Sequence, residues 1–168
     1  EFDNALADYT RAIELNPSFI NAYSNRAMIY RKKQKFDLAL ADYSKAVSLD
    51  EKNYLAFFNR GSVYYYKKEY DKAIADFTAV SALNPKFAVA YSNRGAAYAD
   101  QNKFDPALKD YNKAVELDSK NSLTYYNRAT AYGKKGDFKK AAEDYSKAIE
   151  FNPNDGYAYL NRSKIYEK

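Results

Sequence analysis

Tyr23-Ser24-Asn25-Arg26-Ala27-Met28-Ile29-Tyr30 decides the fold, because its frame returns four times. Asn59-Arg60-Gly61, Asn93-Arg94-Gly95, Asn127-Arg128-Ala129 and Asn161-Arg162-Ser163 each stand 34 residues after the copy before. A period that recurs without drift marks one structural unit stacked on its own copies, and it outranks composition as a guide to architecture. The frame therefore predicts a single quasi-linear array over 1–168 rather than one or two ordinary domains.

Before the frame, Phe2, Ala5, Leu6, Tyr9, Ala12 and Ile13 have the spacing of one helix face. Asn16-Pro17 ends that helix, since proline offers no N–H and disfavours helical backbone in the residue before it. The frame lies on a second helix with Tyr23, Ala27 and Tyr30 on one side, and Lys32-Lys33-Gln34-Lys35 makes the next turn. Carried through the chain, the pattern predicts ten helices at about 2–15, 19–32, 37–49, 54–67, 71–83, 88–101, 105–117, 122–135, 139–151 and 156–167. Turns of a few residues make neighbouring helices antiparallel. Asp37, Asp71 and Asp105 stand where an N-cap is expected, and Asp105-Pro106 then puts proline at the first helical position. Lys139 breaks this series and leaves Asp137 or water to satisfy that helix end.

Composition narrows the function classes. Hydrophobic residues make up 46% of the chain, yet there is no apolar run of membrane-spanning length and no secretion signal, which reads as a soluble, cytoplasmic array. With no Cys and no His the chain lacks thiolate chemistry, the usual metal ligand and the commonest general base. No phosphate-binding glycine loop or nucleophile with a base stands out, so no catalytic residue, metal or cofactor is expected and the chain does not read as an enzyme. A net charge of +5 is mild, and a nucleic-acid partner is not indicated.

The helix-turn-helix unit resembles the tetratricopeptide repeat along the whole chain, in a variant that carries Asn-Arg in the first helix. The family's first helix wants an aromatic, met by Tyr23, Phe57, Tyr91, Tyr125 and Tyr159, then a small residue, met by Ala27, Gly61, Gly95, Ala129 and Ser163. Its second helix wants alanine, met by Ala5, Ala39, Ala73, Ala107 and Ala141, then an aromatic, met by Tyr9, Tyr43, Phe77, Tyr111 and Tyr145. The resemblance implies an all-α, right-handed superhelical solenoid of antiparallel helix pairs. Its expected parts are the second helix of a partial repeat in 1–19, full repeats at 20–53, 54–87, 88–121 and 122–155, and a first helix in 156–168.

Where the family usually has leucine this chain has Arg26, Arg60, Arg94, Arg128 and Arg162, and every second helix keeps an aspartate at Asp8, Asp42, Asp76, Asp110 or Asp144. Two charges of opposite sign in fixed phase predict partly buried ion pairs, each arginine reaching the aspartate of its own repeat or of the one before. The resemblance implies a groove lined by the first helix of each repeat, with Asn25, Asn59, Asn93, Asn127 and Asn161 in a row along it. An amide both donates and accepts, so such a row suits the backbone of an extended peptide, or else the neighbouring repeat.

Selectivity is expected where the groove positions differ. Met28, Arg31 and Lys32 lie beside Phe58, Tyr65 and Tyr66, with Tyr126 further on, and this favours an aromatic or aliphatic anchor flanked by acidic residues. Some family members clamp a chaperone's C-terminal carboxylate with lysines and an arginine. Here Asn21, Leu55, Val89 and Leu123 replace one of those lysines, and Asn59, Asn93 and Asn127 replace the arginine. The clusters Arg31-Lys32-Lys33, Lys67-Lys68 and Lys134-Lys135 are expected to form a solvated basic rim. The favoured reading is a non-catalytic scaffold for a protein or peptide. The alternatives are a module that stacks head to tail into a homo-oligomer through uncapped terminal helices, and the substrate-recruiting arm of a larger enzyme.

Overall fold

The computed structural model describes residues 2–168, so Glu1, the first residue of the expected partial repeat, lies outside the described residues. Ten α-helices are present among them: α1 (Phe2–Leu15), α2 (Ile20–Lys32), α3 (Phe36–Leu49), α4 (Tyr54–Tyr66), α5 (Tyr70–Leu83), α6 (Ala88–Asp100), α7 (Phe104–Leu117), α8 (Ser122–Lys135), α9 (Phe138–Phe151) and α10 (Gly156–Tyr166). The even-numbered helices carry the Asn-Arg frame and are called A helices, the others B helices. They group into two compact units, one ending at Asn84 and the other beginning at Pro85.

In the first unit α2 pairs with α3 and α4 with α5, while α1 rests on α2 and α3 on α4. Ala27, Ala39, Ala46 and Ala73 are fully buried, because a helix pair approaches closely only where side chains are small. Gly61 goes a step further: a Cβ there would lie 3.0 Å from both Asp76 Cβ and Phe77 Cε1. Rings fill the remaining space. Tyr43 packs with Ala27, Ala39 and Val63 against Phe36, and Tyr23 packs with Ala46, Val47 and Ala56 against Phe57.

The second unit repeats the plan with α6 on α7, α8 on α9, α7 on α8 and α10 on α9. Tyr111 packs with Ala107, Leu108 and Ala131, and Tyr145 with Tyr125, Ala129 and Ala148. The second glycine of the frame sits hard against this core, where a Cβ on Gly95 would be 2.9 Å from Tyr111 Cε1.

The helix starts differ from expectation. Helices α3, α5 and α7 begin one residue early, so Asp37, Asp71 and Asp105 lie inside the first turn, and the N-cap residues Lys35, Glu69 and Lys103 make no side-chain cap bond. The carboxylates still face the positive end of the helix dipole. Pro106 is consequently the third helical residue, where its missing N–H still costs no intrahelical bond. Side-chain caps occur instead on α4, α8 and α10, where Asn53, Asn121 and Asp155 accept first-turn amides. Asp137 caps α9 by accepting the Lys140 amide.

The A-to-B turns share one backbone device, a left-handed residue: Gln34 at φ 58°, Lys68 at 61°, Asn102 at 58° and Gly136 at 84°. Only Gly136 adopts this conformation without Cβ strain. Lys68→Gly should therefore stabilise the protein by about 0.5–1 kcal/mol, the relieved strain exceeding the added flexibility of the unfolded chain. A lower urea midpoint for this variant would show that the Lys68 side chain itself supports the turn.

No helix among the described residues is long and apolar enough to cross a membrane.

Candidate functional site

The A helices carry two kinds of polar side chain with different fates. The arginines turn inward. Arg26 Nε and Nη2 each donate to the Asp42 carboxylate at 2.8 Å, and Arg60 does the same to Asp76 at 2.8 and 2.7 Å. In the second unit Arg94 meets Asp110 at 2.7 Å through both nitrogens, and Arg128 meets Asp144 at 2.6 and 2.7 Å. Each aspartate is buried and lies 16 residues after its arginine, within the same repeat. The carboxylate bonds hold Arg26, Arg60 and Arg94 above the ordinary guanidinium range, against the opposing effect of burial.

The third nitrogen reaches backwards. Arg26 Nη1 donates to Thr10 Oγ1 at 3.0 Å, Arg60 Nη1 to Ser44 Oγ at 3.3 Å, and Arg128 Nη1 to Asn112 Oδ1 at 2.9 Å. One guanidinium thus ties its own B helix to the B helix before it. The frame's leading aromatic supports the fork from below, with Arg60 5.5 Å from the Phe57 ring centre and Arg128 5.3 Å from that of Tyr125. Two expected members form no such ion pair among the described residues: Asp8 is exposed, and Arg162 keeps only the backward bond, its Nη1 donating to Ser146 Oγ at 3.0 Å.

The basic rim is not simply solvated, because one lysine of each cluster is engaged. Lys33 donates to Asp3, Lys67 to Asp37 and Lys135 to Asp105, each reaching 30 residues back to the start of the preceding B helix. This engages three of the first-turn aspartates, Asp3, Asp37 and Asp105. Lys32 lies over the Phe2 ring at 5.6 Å.

The asparagines behave otherwise. Asn25, Asn59, Asn93 and Asn127 are half-buried, and their amides make no hydrogen bond with any other described residue. Asn161 departs from them: its Nδ2 donates to Tyr126 Oη at 2.8 Å. Tyr126 in turn meets Tyr145 edge-on at 5.6 Å, so Asn161 and Tyr126 serve the packing of the second unit as well as its surface.

The aromatic and basic patch is partly assembled. In the first unit Met28 and Tyr66 are exposed, at 39% and 66%, while Phe58 and Tyr65 are half-buried against Phe77 and Tyr70. Phe36 stacks on Tyr66 with rings 6.4 Å apart and only 4° from parallel. Between these elements lies an open pocket of about 470 Å³ lined by Arg31, Lys32, Gln34, Phe36 and Tyr66. Arg31 is half-buried and forms no ion pair or side-chain hydrogen bond with another described residue.

Tyr43 belongs to the core cluster against which Phe36, one wall of this pocket, is packed, and nothing beyond its packing role singles it out in the sequence. Its hydroxyl is buried without a hydrogen-bond partner. Burial pushes this phenol above its ordinary range, and the charge of nearby Arg31 pulls the other way. The equivalent Tyr145 is satisfied, its hydroxyl lying 3.0 Å from Thr130 Oγ1. Met28 occupies the repeat position of Thr130 and has no such group. That Thr-to-Met difference was the available signal.

A larger depression of about 910 Å³ lies beside α9, floored by Arg128 and Asp144. Among its other polar groups Lys147 pairs with Glu150, and Ser146 accepts from Arg162. Among the described residues no cluster of His, Cys, Asp and Glu is suited to a metal ion.

Successive antiparallel helix pairs, small residues at the crossings and an A-helix face of polar and aromatic side chains define an all-α repeat protein built for interaction. A tetratricopeptide repeat model matches residues 20–53, 88–121 and 122–155, and a second TPR repeat model matches 61–102. The chain belongs to the tetratricopeptide repeat family, whose members are typically non-catalytic scaffolds for protein–protein interaction.

No curated protein sequence gives a significant match. Solved structures do. The crystal structure of MamA is 24% identical with a TM-score of 0.86, covering 93% of this chain and 91% of that one. A tetratricopeptide repeat protein from Parabacteroides merdae is also 24% identical, with a TM-score of 0.87 over 98% of this chain and 66% of its own. These two likenesses show the fold. The first TPR of Spaghetti, bound to the HSP90 peptide SRMEEVD, is 30% identical with a TM-score of 0.68, covering 70% of this chain and 94% of that one.

Proposed function

We infer that this chain is a non-catalytic scaffold that holds an extended peptide segment on its A-helix surface, with acidic residues flanking an aromatic or aliphatic anchor. The observation that carries the reading is the half-buried amides, Asn25 and Asn59 in the first unit and Asn93 and Asn127 in the second, that make no hydrogen bond among the described residues. A primary amide offers a donor and an acceptor together, which is what a peptide unit needs on both of its sides. In the first unit the exposed Met28 and Tyr66 supply apolar surface beside the uncommitted charge of Arg31. The peptide in the Spaghetti structure has the same character, methionine and valine among carboxylates. Because Asn21, Leu55, Val89 and Leu123 replace a clamp lysine, the segment held here is internal rather than a chain terminus.

A peptide array probed with the intact chain tests this. Asn25→Ala and Asn59→Ala together should weaken the selected peptides by about 1–3 kcal/mol, two net hydrogen bonds or more, and leave stability within about 0.5 kcal/mol. Binding unchanged by the double substitution removes the amides from the interface. Amidating the C-terminus of a bound peptide should change nothing, whereas a loss would restore the terminal clamp.

A further inference from the structure

Two tyrosines at the same position of the repeat, Tyr43 and Tyr145, differ in what their hydroxyls meet. In the second unit Tyr145 and Thr130 satisfy one another at 3.0 Å, and Thr130 is anchored on the Tyr126 carbonyl at 3.0 Å. In the first unit the same position on the B helix is Tyr43, the same position on the A helix is Met28, and the Tyr43 hydroxyl is buried without a partner. One turn along α2 from Met28 stands Arg31, whose guanidinium has no carboxylate. Arg31 lines a pocket with Phe36 and Tyr66, Phe36 packs against the core cluster that holds Tyr43, and the charge of Arg31 acts on the Tyr43 phenol, so two donors without acceptors are neighbours at this pocket. A buried hydroxyl left unbonded is costly, and natural interiors rarely keep one without use. At the same position Phe77 shows that the fold does not need the oxygen.

We propose that Tyr43 and Arg31 form a carboxylate subsite, which takes a glutamate or aspartate side chain of the bound peptide once Met28 swings aside. The inference rests on the peptide-holding reading and names the group that gives that surface its charge preference. Both donors suit an ionised acceptor, since a phenol O–H and a guanidinium N–H each form their stronger bonds to carboxylate. Met28 suits the gate, because an unbranched thioether changes rotamer at low cost and is 39% exposed here. The adjacent Lys32 adds charge of the same sign at the pocket wall.

The test uses the intact chain and two blocked, fluorescein-labelled peptides, AEFEEA and its neutral counterpart AQFQQA. The wild-type protein should bind AEFEEA about tenfold more tightly, in line with a charge-assisted bond against a neutral one. Tyr43→Phe should lower AEFEEA affinity by about tenfold, change AQFQQA by less than about twofold, and raise the melting temperature by removing an unbonded buried hydroxyl. Met28→Thr, which supplies the partner that Thr130 gives Tyr145, should also raise the melting temperature while weakening AEFEEA. Tyr145→Phe is the control and should lower the melting temperature with no change in either affinity. If both peptides bind equally and Tyr43→Phe alters neither, the subsite is overturned and the peptide surface stands. If neither peptide binds the wild-type protein, the surface reading falls and the subsite with it. A melting temperature that drops in Tyr43→Phe would show that the hydroxyl already has a partner, and would also overturn the proposal.

Discussion

Arg60→Ala should destabilise the protein by about 3–5 kcal/mol, the usual consequence of stripping one partner from a buried ion pair. Asp76 would be left 5% exposed with no cation, and Ser44 would lose its donor at the same stroke. The loss exceeds what the pair itself contributes over two apolar residues, so Arg60→Met combined with Asp76→Leu should recover most of it. Arg60→Lys should fall between, because an ammonium cannot supply two parallel bonds to Asp76 and a third to Ser44. Urea unfolding followed by circular dichroism separates these cases. A single-variant loss below about 1 kcal/mol would place the arginine among weak surface pairs. Affinity per folded molecule should be unchanged in all of them, since the guanidinium is committed to Asp76 and Ser44 rather than to the proposed peptide surface.

Phe77→Ala is the second large expectation, at about 3–5 kcal/mol. Phe77 is fully buried and contacts the helix crossing at Gly61, where no side chain is present to collapse into the cavity. Phe77→Tyr should cost less than about 1.5 kcal/mol, because Ser62 occupies the position from which Thr130 meets the Tyr145 hydroxyl. If thermal melts show Phe77→Tyr to be as unstable as Phe77→Ala, the ring has no room for an added oxygen.

The fold was legible because the period and the small residues are the same physical statement. Ala27, Gly61, Gly95 and Ala129 recur in sequence for the reason they are buried in space, namely that two helices touch there. The choice of acceptor for each arginine was less legible. Position 16 before and position 16 after both carry polar residues on B helices, and only the packing decides that the carboxylate lies ahead and the hydroxyl or amide behind. Helix starts were misplaced by one residue because Asp37 and Asp105 look like caps, while their nearest strong partners are lysines 30 residues away that local reasoning does not reach. The candidate site divides in the same way. That the asparagines differ from the arginines follows from their adjacency on a helix, which turns neighbours about 100° apart. That Asn161 is drawn to Tyr126, or that Tyr43 lacks what Tyr145 has, depends on contacts between repeats and on a missing atom, neither of which leaves a periodic trace.

The arginine fork also bears on how such a chain can change in length. Thr10, Ser44, Asn112 and Ser146 are different residues, yet each offers an oxygen at the same step behind its arginine. Excising or duplicating a whole block of 34 residues returns every arginine to an aspartate ahead and an acceptor behind, with no buried charge stranded. A half-block would strand one at each junction. The chain is thus free to grow or shrink by gene-level copying in whole repeats, and the feature that enforces this whole-number rule is a single guanidinium shared among three helices.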